Sequence, residues 1–122
     1  MSEDITNGKT VLGLTEEIVV RGPNSEKTVR ARVDSGAMKS SIDLQLASEL
    51  QLGPIVESKL IKSANGAKLR PVIRAELEVC GRTVDEKFTM ADRRHMKYKV
   101  LIGQNILKQG FLIDPSKYES GE

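Results

Sequence analysis

The residues of this chain whose types and spacing best suit catalysis are three in direct succession, Asp34-Ser35-Gly36. Val29, Ala31 and Val33 alternate with polar residues, which predicts a half-buried strand leading into them. The three residues themselves favour a turn. A carboxylate on a tight loop, steadied by a neighbouring hydroxyl and by backbone amides, can serve in acid–base catalysis. The same tripeptide also occurs in ordinary turns, so other segments have to decide between the two interpretations.

A second informative segment lies nearer the C-terminus. The aliphatic run Val100-Leu101-Ile102 ends at Gly103, and a polar pair then leads into Ile106-Leu107 with the spacing of an amphipathic helical turn. Glycine lets backbone segments approach closely or adopt unusual dihedral angles. The pattern therefore predicts a buried strand that meets a short helix at Gly103.

A long hairpin is predicted between these two segments. Its arms are residues 55–63 and 68–79, and Asn65-Gly66 is the pair that a tight hairpin turn prefers, because both central residues need a positive φ. A protruding hairpin is either a surface ornament or a mobile lid. Because it follows Asp34 in the chain, we interpret it as a flap over a cleft, with Ala64, Asn65 and Gly66 at its tip.

The remaining segments give simpler predictions. Residues 1–9 are polar and contain the turn pair Asn7-Gly8, so we expect a disordered N-terminal tail. Strands are expected on either side of Gly13, and Asp43 is expected to cap a short helix that runs to Leu50.

The only histidine, His95, lies in a charged loop over residues 92–97. A lone histidine among basic residues is more often solvated than catalytic. No spacing of His, Cys and acidic residues matches a structural zinc site, and no complete P-loop motif, Gly-x-x-x-x-Gly-Lys-Ser/Thr, is present. We therefore predict no metal and no cofactor. A metal site would have to gather Asp34, His95 and another acid from distant segments.

Composition excludes several classes of protein. A chain of 122 residues with 39% hydrophobic and 30% charged side chains fits one globular domain. A net charge of +2 is too small to indicate a nucleic-acid partner, and no apolar run reaches the ~18 residues of a membrane span. The acidic N-terminus lacks the features of a signal peptide, and Cys80, the only cysteine, cannot form an internal disulfide. We expect a cytoplasmic location.

The order of these segments resembles that of the retropepsin-like aspartic peptidases, the single-domain class that includes the retroviral proteases. In that class an Asp-Ser/Thr-Gly and a small apolar residue, here Asp34-Ser35-Gly36-Ala37, precede a flap-like hairpin. An aliphatic-Gly segment follows the hairpin, here Leu101-Ile102-Gly103.

Within that class the chain is most similar to a prokaryotic family labelled ATP-dependent zinc protease. Its further counterparts are Val11-Leu12-Gly13 and Phe111-Leu112-Ile113-Asp114-Pro115. The resemblance covers about residues 10–116. It leaves residues 1–9 and 117–122 as N-terminal and C-terminal tails.

The resemblance implies a fold and a role for each motif. The fold would be mostly β, a closed-barrel-like retropepsin (acid protease) fold with one or two short helices. Asp34 would be catalytic, Ser35, Gly36 and Ala37 would support its loop, and Leu101, Ile102 and Gly103 would pass beneath that loop. One departure stands out: retroviral enzymes usually carry Arg after the glycine of the second segment, whereas this chain has Gln104.

The resemblance also implies an assembly, because aspartic peptidases need two Asp side chains that share one proton. This chain contains only one Asp-Ser/Thr-Gly, so a homodimer would bring two copies of Asp34 together. The expected substrate is an extended peptide or an unfolded protein that pairs like an added strand. The expected function is therefore hydrolysis of peptide bonds. Two alternatives stay open: a non-catalytic peptide-binding or regulatory module on the same fold, and a metal-dependent hydrolase that uses Asp34 and His95.

Overall fold

The computed structural model describes residues 5–118, which form ten strands and two short helices. In chain order these are β1 (Ile5–Thr6), β2 (Lys9–Leu12), β3 (Thr15–Arg21), β4 (Glu26–Val33), β5 (Ser40–Asp43), α1 (Leu44–Glu49), β6 (Ile55–Ser63), β7 (Gly66–Val79), β8 (Arg82–Ala91), β9 (Val100–Ile102), α2 (Gln104–Leu107) and β10 (Phe111–Ile113). No helix within this range is long and apolar enough to cross a membrane.

Six of the strands close into a barrel. Their order is β3-β4-β9-β5-β8-β7, and β7 pairs back onto β3 through residues 18–21 and 76–79. Closure satisfies the backbone hydrogen bonds of strands that would otherwise lie at a sheet edge. The predicted mostly-β, closed barrel with short helices is confirmed.

Aliphatic side chains fill the barrel, as the low aromatic content requires. Every second residue of β7 from Ile73 to Val79 is buried, and the residues between them are charged. The other half of β7, residues 66–70, is largely exposed. The base of the long hairpin is therefore anchored in the core, while its tip stands away from it.

The hairpin turn is displaced by one residue from its predicted position. Ser63 pairs with Gly66, so the two-residue loop is Ala64-Asn65 rather than Asn65-Gly66. Gly66 follows the loop with a φ of +112°, a conformation that favours glycine. The predicted hairpin and its tip residues are thus present, but the prediction that Asn65 and Gly66 are the two central residues is wrong.

A small three-stranded sheet joins an early and a late segment of the described chain. β10 pairs in parallel with β2, and β1 pairs antiparallel with the other edge of β2. Strand pairing therefore begins inside the segment expected to be an N-terminal tail, at Ile5. The domain limits at residues 10 and 116 stay predictions.

The predicted helix after Asp43 is confirmed as α1. Asp43 is its N-cap and accepts a hydrogen bond from the Leu46 N–H. The same carboxylate accepts one from the backbone N–H of Arg93 at 2.7 Å. Asp43 thereby joins the helix to the loop that contains His95.

A buried carboxylate fastens the segment after β10 to the barrel. Glu16 accepts hydrogen bonds from the Gly13 N–H at 2.8 Å, from the Tyr118 hydroxyl at 2.7 Å and from Lys117 Nζ at 3.0 Å. Lys117 Nζ also donates to the carbonyl of Val11 at 2.7 Å. Two residues expected to start a C-terminal tail are therefore bound to the fold, and residues 119–122 lie outside the described part of the chain.

Folding changes the pKa of Glu16. Burial by itself raises this pKa, but the hydrogen bonds from Gly13, Tyr118 and Lys117 together outweigh burial and lower it. A carboxylate whose pKa is lowered by folding stabilises the fold at pH values above its unfolded-state pKa. That contribution is lost as the pH falls through the folded-state pKa.

We expect Glu16→Gln to lower the free energy of unfolding at pH 7 by about 3 kcal/mol, because it leaves the largely buried ammonium of Lys117 without its counter-charge. The difference from the wild type should shrink as the pH falls below about 4, because the unfolded wild type then takes up a proton that the folded carboxylate resists. Urea unfolding at pH 7 and pH 3 measures both effects. Glu17→Gln, at an exposed position on the same strand, is the control. Equal stability of Glu16→Gln and wild type at pH 7 would contradict this account.

Candidate active site

Asp34 lies directly beyond the last residue of β4, where the pairing of two strands continues for one more residue. Val33 is paired in parallel with Ile102 of β9, and the Asp34 N–H donates to the carbonyl of Ile102 at 2.9 Å. The position of the aspartate backbone is thus set by the barrel and not by a free loop. Ile102 is thus hydrogen-bonded to the first residue of the loop, and Leu101 pairs with Arg32 of β4.

The loop that follows is held by the aspartate itself. The Gly36 N–H donates to Asp34 Oδ1 at 2.9 Å, and the Ala37 N–H donates to the Asp34 carbonyl at 3.3 Å. A Cβ atom on Gly36 would lie 3.3 Å from Asp34 Oδ1. The glycine therefore keeps space for the carboxylate that it orients.

Gly103 lets the start of α2 lie directly against this loop. A Cβ atom at Gly103 would lie 2.3 Å from the carbonyl oxygen of Lys39 and 2.9 Å from that of Ala37, which no real side chain could tolerate. The next two amides use this approach: Gln104 N–H donates to the Ala37 carbonyl at 2.8 Å, and Asn105 N–H donates to the Met38 carbonyl at 3.2 Å. Only glycine fits at position 103, because the backbone of the loop lies too close for any side chain.

A buried serine lies behind the loop, although the polar segment around it predicts an exposed side chain. Ser40 Oγ accepts from the Gly103 N–H at 2.9 Å and donates to Asn105 Oδ1 at 2.8 Å, while Asn105 Nδ2 donates to the Lys87 carbonyl at 3.0 Å. Ser40 is fully buried. The sequence does contain a signal for this burial: Ser40 lies two residues before the buried Ile42 in the same strand, and residues two apart face the same side of a sheet.

A cavity of about 530 Å³ opens beside Asp34, and three of its eight lining residues are arginine or lysine. Its lining is Arg32, Asp34, Arg93, His95, Met96, Lys97, Tyr98 and Leu101. The structure thus brings His95 and Asp34 to one cavity, although 61 positions separate them in the chain. Among residues 5–118, no group of three or more His, Cys, Asp and Glu side chains is placed to hold a metal ion.

Arg93 is the cation of this cavity whose position is most firmly set. Its side chain is mostly buried, and its Nε donates to the carbonyl of Tyr98 at 3.0 Å. Burial lowers the pKa of Arg93, the nearby carboxylate of Asp43 counteracts that effect, and the charge of Arg70 adds to it. A guanidinium at this depth stays charged and attracts anions.

A second, smaller cavity of about 210 Å³ lies between the base of the hairpin and β8. Lys39, Lys59 and Lys87 line it together with Glu57, Val72 and Thr89. Lys87 Nζ is 2.9 Å from Glu57 Oε2, and its hydrogen bond lowers the pKa of Glu57. Three ammonium groups therefore face one carboxylate in this cavity.

An apolar groove of about 420 Å³ lies on the other side of Ser35, between α2 and β10. Its lining is Ser35, Gln104, Leu107, Lys108, Phe111, Leu112 and Ile113. Leu112 is 36% exposed, and Met38, in the segment that leaves the loop, is 72% exposed. The surface around the candidate catalytic loop is thus apolar on one side and cationic on the other.

The predicted tip of the flap lies at an exposed position. Ala64, Asn65 and Gly66 lie at the protruding end of the hairpin, and a Cβ atom at Gly66 would meet nothing within 4 Å. The structure thus places Ile102 and Gly103 beside the Asp34 loop, whereas the hairpin tip lies at the exposed end of its two strands.

A closed barrel that carries an Asp-Ser-Gly loop at the end of one strand defines the retropepsin-like class, and two solved structures share the fold. The protease of equine infectious anaemia virus (EIAV) in complex with the inhibitor HBY-793 is 17% identical, with a TM-score of 0.61 over 77% of this chain and 84% of that one. The simian foamy virus (mac) protease is 19% identical, with a TM-score of 0.58 over 77% and 91%.

A family model places the chain in a narrower group within that class. The model of the family described as retropepsin-like aspartic endopeptidase RimB matches residues 43–121, more than half of the chain, and the chain belongs to this RimB-like family. The matched range starts after the Asp34 loop and includes the Gly103 segment. The family predicted from the resemblance is thus confirmed as retropepsin-like, whereas nothing found supports the zinc protease label.

Longer proteins contain a related segment. A "Probable alpha-L-glutamate ligase" of Desulfotalea psychrophila is 26% identical over 141 residues, which covers 95% of this chain and 30% of that protein. A protein of the same description from Shewanella pealeana is 28% identical over 114 residues, covering 73% and 25%. The chain therefore spans between a quarter and a third of the length of these relatives.

Proposed function

We propose that this chain is an aspartic endopeptidase that acts as a homodimer, with Asp34 of each subunit in one shared site. The observation that carries the proposal is the fixed position of Asp34, whose backbone continues the β4–β9 pairing and whose Oδ1 accepts the Gly36 N–H. A carboxylate held in this way, beside an open cavity, matches the need of acid–base catalysis for a positioned proton acceptor.

The chemistry needs both copies. One Asp34 is ionised and takes a proton from a water molecule as the water oxygen attacks the carbonyl carbon of the peptide bond. The other is protonated and donates its hydrogen bond to the carbonyl oxygen. Collapse of the tetrahedral intermediate breaks the C–N bond, and the departing nitrogen receives the proton. Water is the only co-reactant.

The apolar groove supports a second copy beside the loop. Ser35 belongs both to the loop that must meet its twin and to the lining of the groove, and Leu112 and Ile113 extend that surface along β10. Burial of apolar surface is the main driving force of such association. The groove is therefore where we place the subunit contact.

The cation-lined cavities support an acidic peptide as the substrate. Arg32, Arg93 and Lys97 surround the cavity at Asp34, and Lys39, Lys59 and Lys87 surround the one at the hairpin. Guanidinium groups bind carboxylates through charge-assisted hydrogen bonds. The relatives named alpha-L-glutamate ligase agree with a peptide rich in glutamate. We propose that such a peptide lies extended between the Asp34 loop and the hairpin.

The first test concerns the acid. Asp34→Asn should abolish cleavage of a glutamate-rich peptide, because asparagine cannot accept the proton of the attacking water. The variant should also dimerise about tenfold more tightly than wild type at neutral pH, because two ionised carboxylates pressed together repel each other. Peptide cleavage and sedimentation equilibrium measure the two effects. Asp85→Asn, at an exposed ion pair with Arg74, is the control. Undiminished cleavage by Asp34→Asn would show that Asp34 is not a catalytic residue.

The second test concerns charge selection. Arg32→Gln should lower kcat/KM for a glutamate-rich peptide about tenfold to a hundredfold, the range for loss of a hydrogen bond to a charged group, and should affect a matched glutamine-rich peptide much less. Arg32 is exposed, so folding should be kept. Arg74→Gln, another exposed arginine, should change neither value. Equal losses on the two peptides would show that Arg32 does not select acidic side chains.

The third test concerns the flap. Gly66→Val should reduce kcat/KM more than stability, because valine adopts the positive φ of Gly66 at a cost of about 1–3 kcal/mol and would distort the tip. Gly8→Val introduces the same strain at a glycine with a φ of +77° and open space, far from the loop in sequence. It should lose stability without losing turnover by the folded protein. If both variants cleave equally well, the hairpin is an ornament and not a lid.

A further inference from the structure

Gln104 is hydrogen-bonded to the candidate catalytic loop at two points. Its side-chain Nε2 donates to the carbonyl of Ser35 at 2.7 Å, and its backbone N–H donates to the carbonyl of Ala37 at 2.8 Å. These carbonyls flank Gly36. One residue of α2 therefore holds the loop on both sides of the glycine that contacts Asp34.

The side-chain bond reaches Asp34 through a single peptide group. The carbonyl of Ser35 and the N–H of Gly36 belong to one planar unit, and they point in opposite directions across it. Gln104 Nε2 binds the oxygen of this unit, and the N–H on its other side donates to Asp34 Oδ1 at 2.9 Å. A peptide group bonded at both ends has a set orientation, and each bond polarises the other.

We propose that Gln104 is a positioning residue, which sets the orientation of the Ser35-Gly36 peptide group and through it the carboxylate of Asp34. This inference rests on the proposed function. It also accounts for the presence of Gln104 where retroviral enzymes usually have Arg, because a neutral amide donor here supports the loop without a charged partner. The role of Gln104 is separate from that of Ser40 and Asn105, which bind Gly103 and Lys87 behind the loop.

A merely structural role and an interface role make different predictions from this one. Gln104 also lines the apolar groove, so its replacement could act through dimerisation alone. Turnover should therefore be measured at protein concentrations where sedimentation shows a complete dimer. Amide hydrogen exchange at Gly36, followed by NMR, reports the loop directly and needs no substrate.

Three variants make the test. Gln104→Met keeps the length of the side chain and removes the donor. We expect kcat to fall about tenfold to a hundredfold, the range seen when a catalytic group is misplaced, with a smaller change in KM and faster exchange of the Gly36 amide. Gln104→Arg retains N–H donors and should recover most of both losses. Gln109→Met, which removes the bonds to Glu86 and to the Asn105 carbonyl, should leave kcat and Gly36 exchange unchanged.

The opposite results are equally clear. If Gln104→Met matches wild type in kcat and in Gly36 exchange, or if its only defect is weaker dimerisation, the proposal is overturned. If wild type itself cleaves no peptide, the proposed function fails, and Gly36 exchange alone then decides whether Gln104 holds the loop.

Discussion

The site depends on one close backbone contact, between Gly103 at the start of α2 and the segment from Ala37 to Lys39. Only glycine permits it, since an added Cβ atom would lie 2.3 Å from the carbonyl oxygen of Lys39. This contact lets the backbone N–H groups of Gln104 and Asn105 donate hydrogen bonds to the loop. It also lets the Gly103 N–H donate a hydrogen bond to the buried side chain of Ser40. The barrel supplies the other fixed point, the pairing of β4 with β9, which ends at Asp34. The loop that carries Asp34 is thus held from two directions by backbone contacts.

Charge is distributed unevenly around this framework. The net charge of +2 is nearly balanced, yet cations from β4, the hairpin and the loop at residues 92–98 line the two cavities at the cleft. Several carboxylates are paired elsewhere, as in the cluster of Glu26, Glu76 and Glu78 around Arg21 on the outside of the barrel. Such separation raises the local concentration of anions at the cleft without making the whole protein basic.

The order of the motifs, through the resemblance it carries, predicted the fold, and local patterns predicted the strand that ends at Asp34. Asp34-Ser35-Gly36 and Gly103 were recognisable because turn and close-approach geometry restrict the residue types at those positions. The hairpin turn was predicted one residue away, because Gly66 takes its positive φ just after the loop and not within it. The cationic cavity and the cluster of Glu16, Lys117 and Tyr118 could not be predicted, since each joins side chains from distant segments whose proximity only the closed barrel determines.

The central claim is that activity needs one Asp34 from each of two subunits, and mixed dimers test it most directly. Wild type at constant concentration is mixed with a threefold excess of Asp34→Asn, and the cleavage of a glutamate-rich peptide is measured after exchange of subunits. If a pair of carboxylates is required, random pairing leaves about a quarter of the wild-type subunits in active dimers, and activity falls to that level or below. Activity that is unchanged by the excess of variant would show that a single Asp34 suffices, and would contradict the shared site.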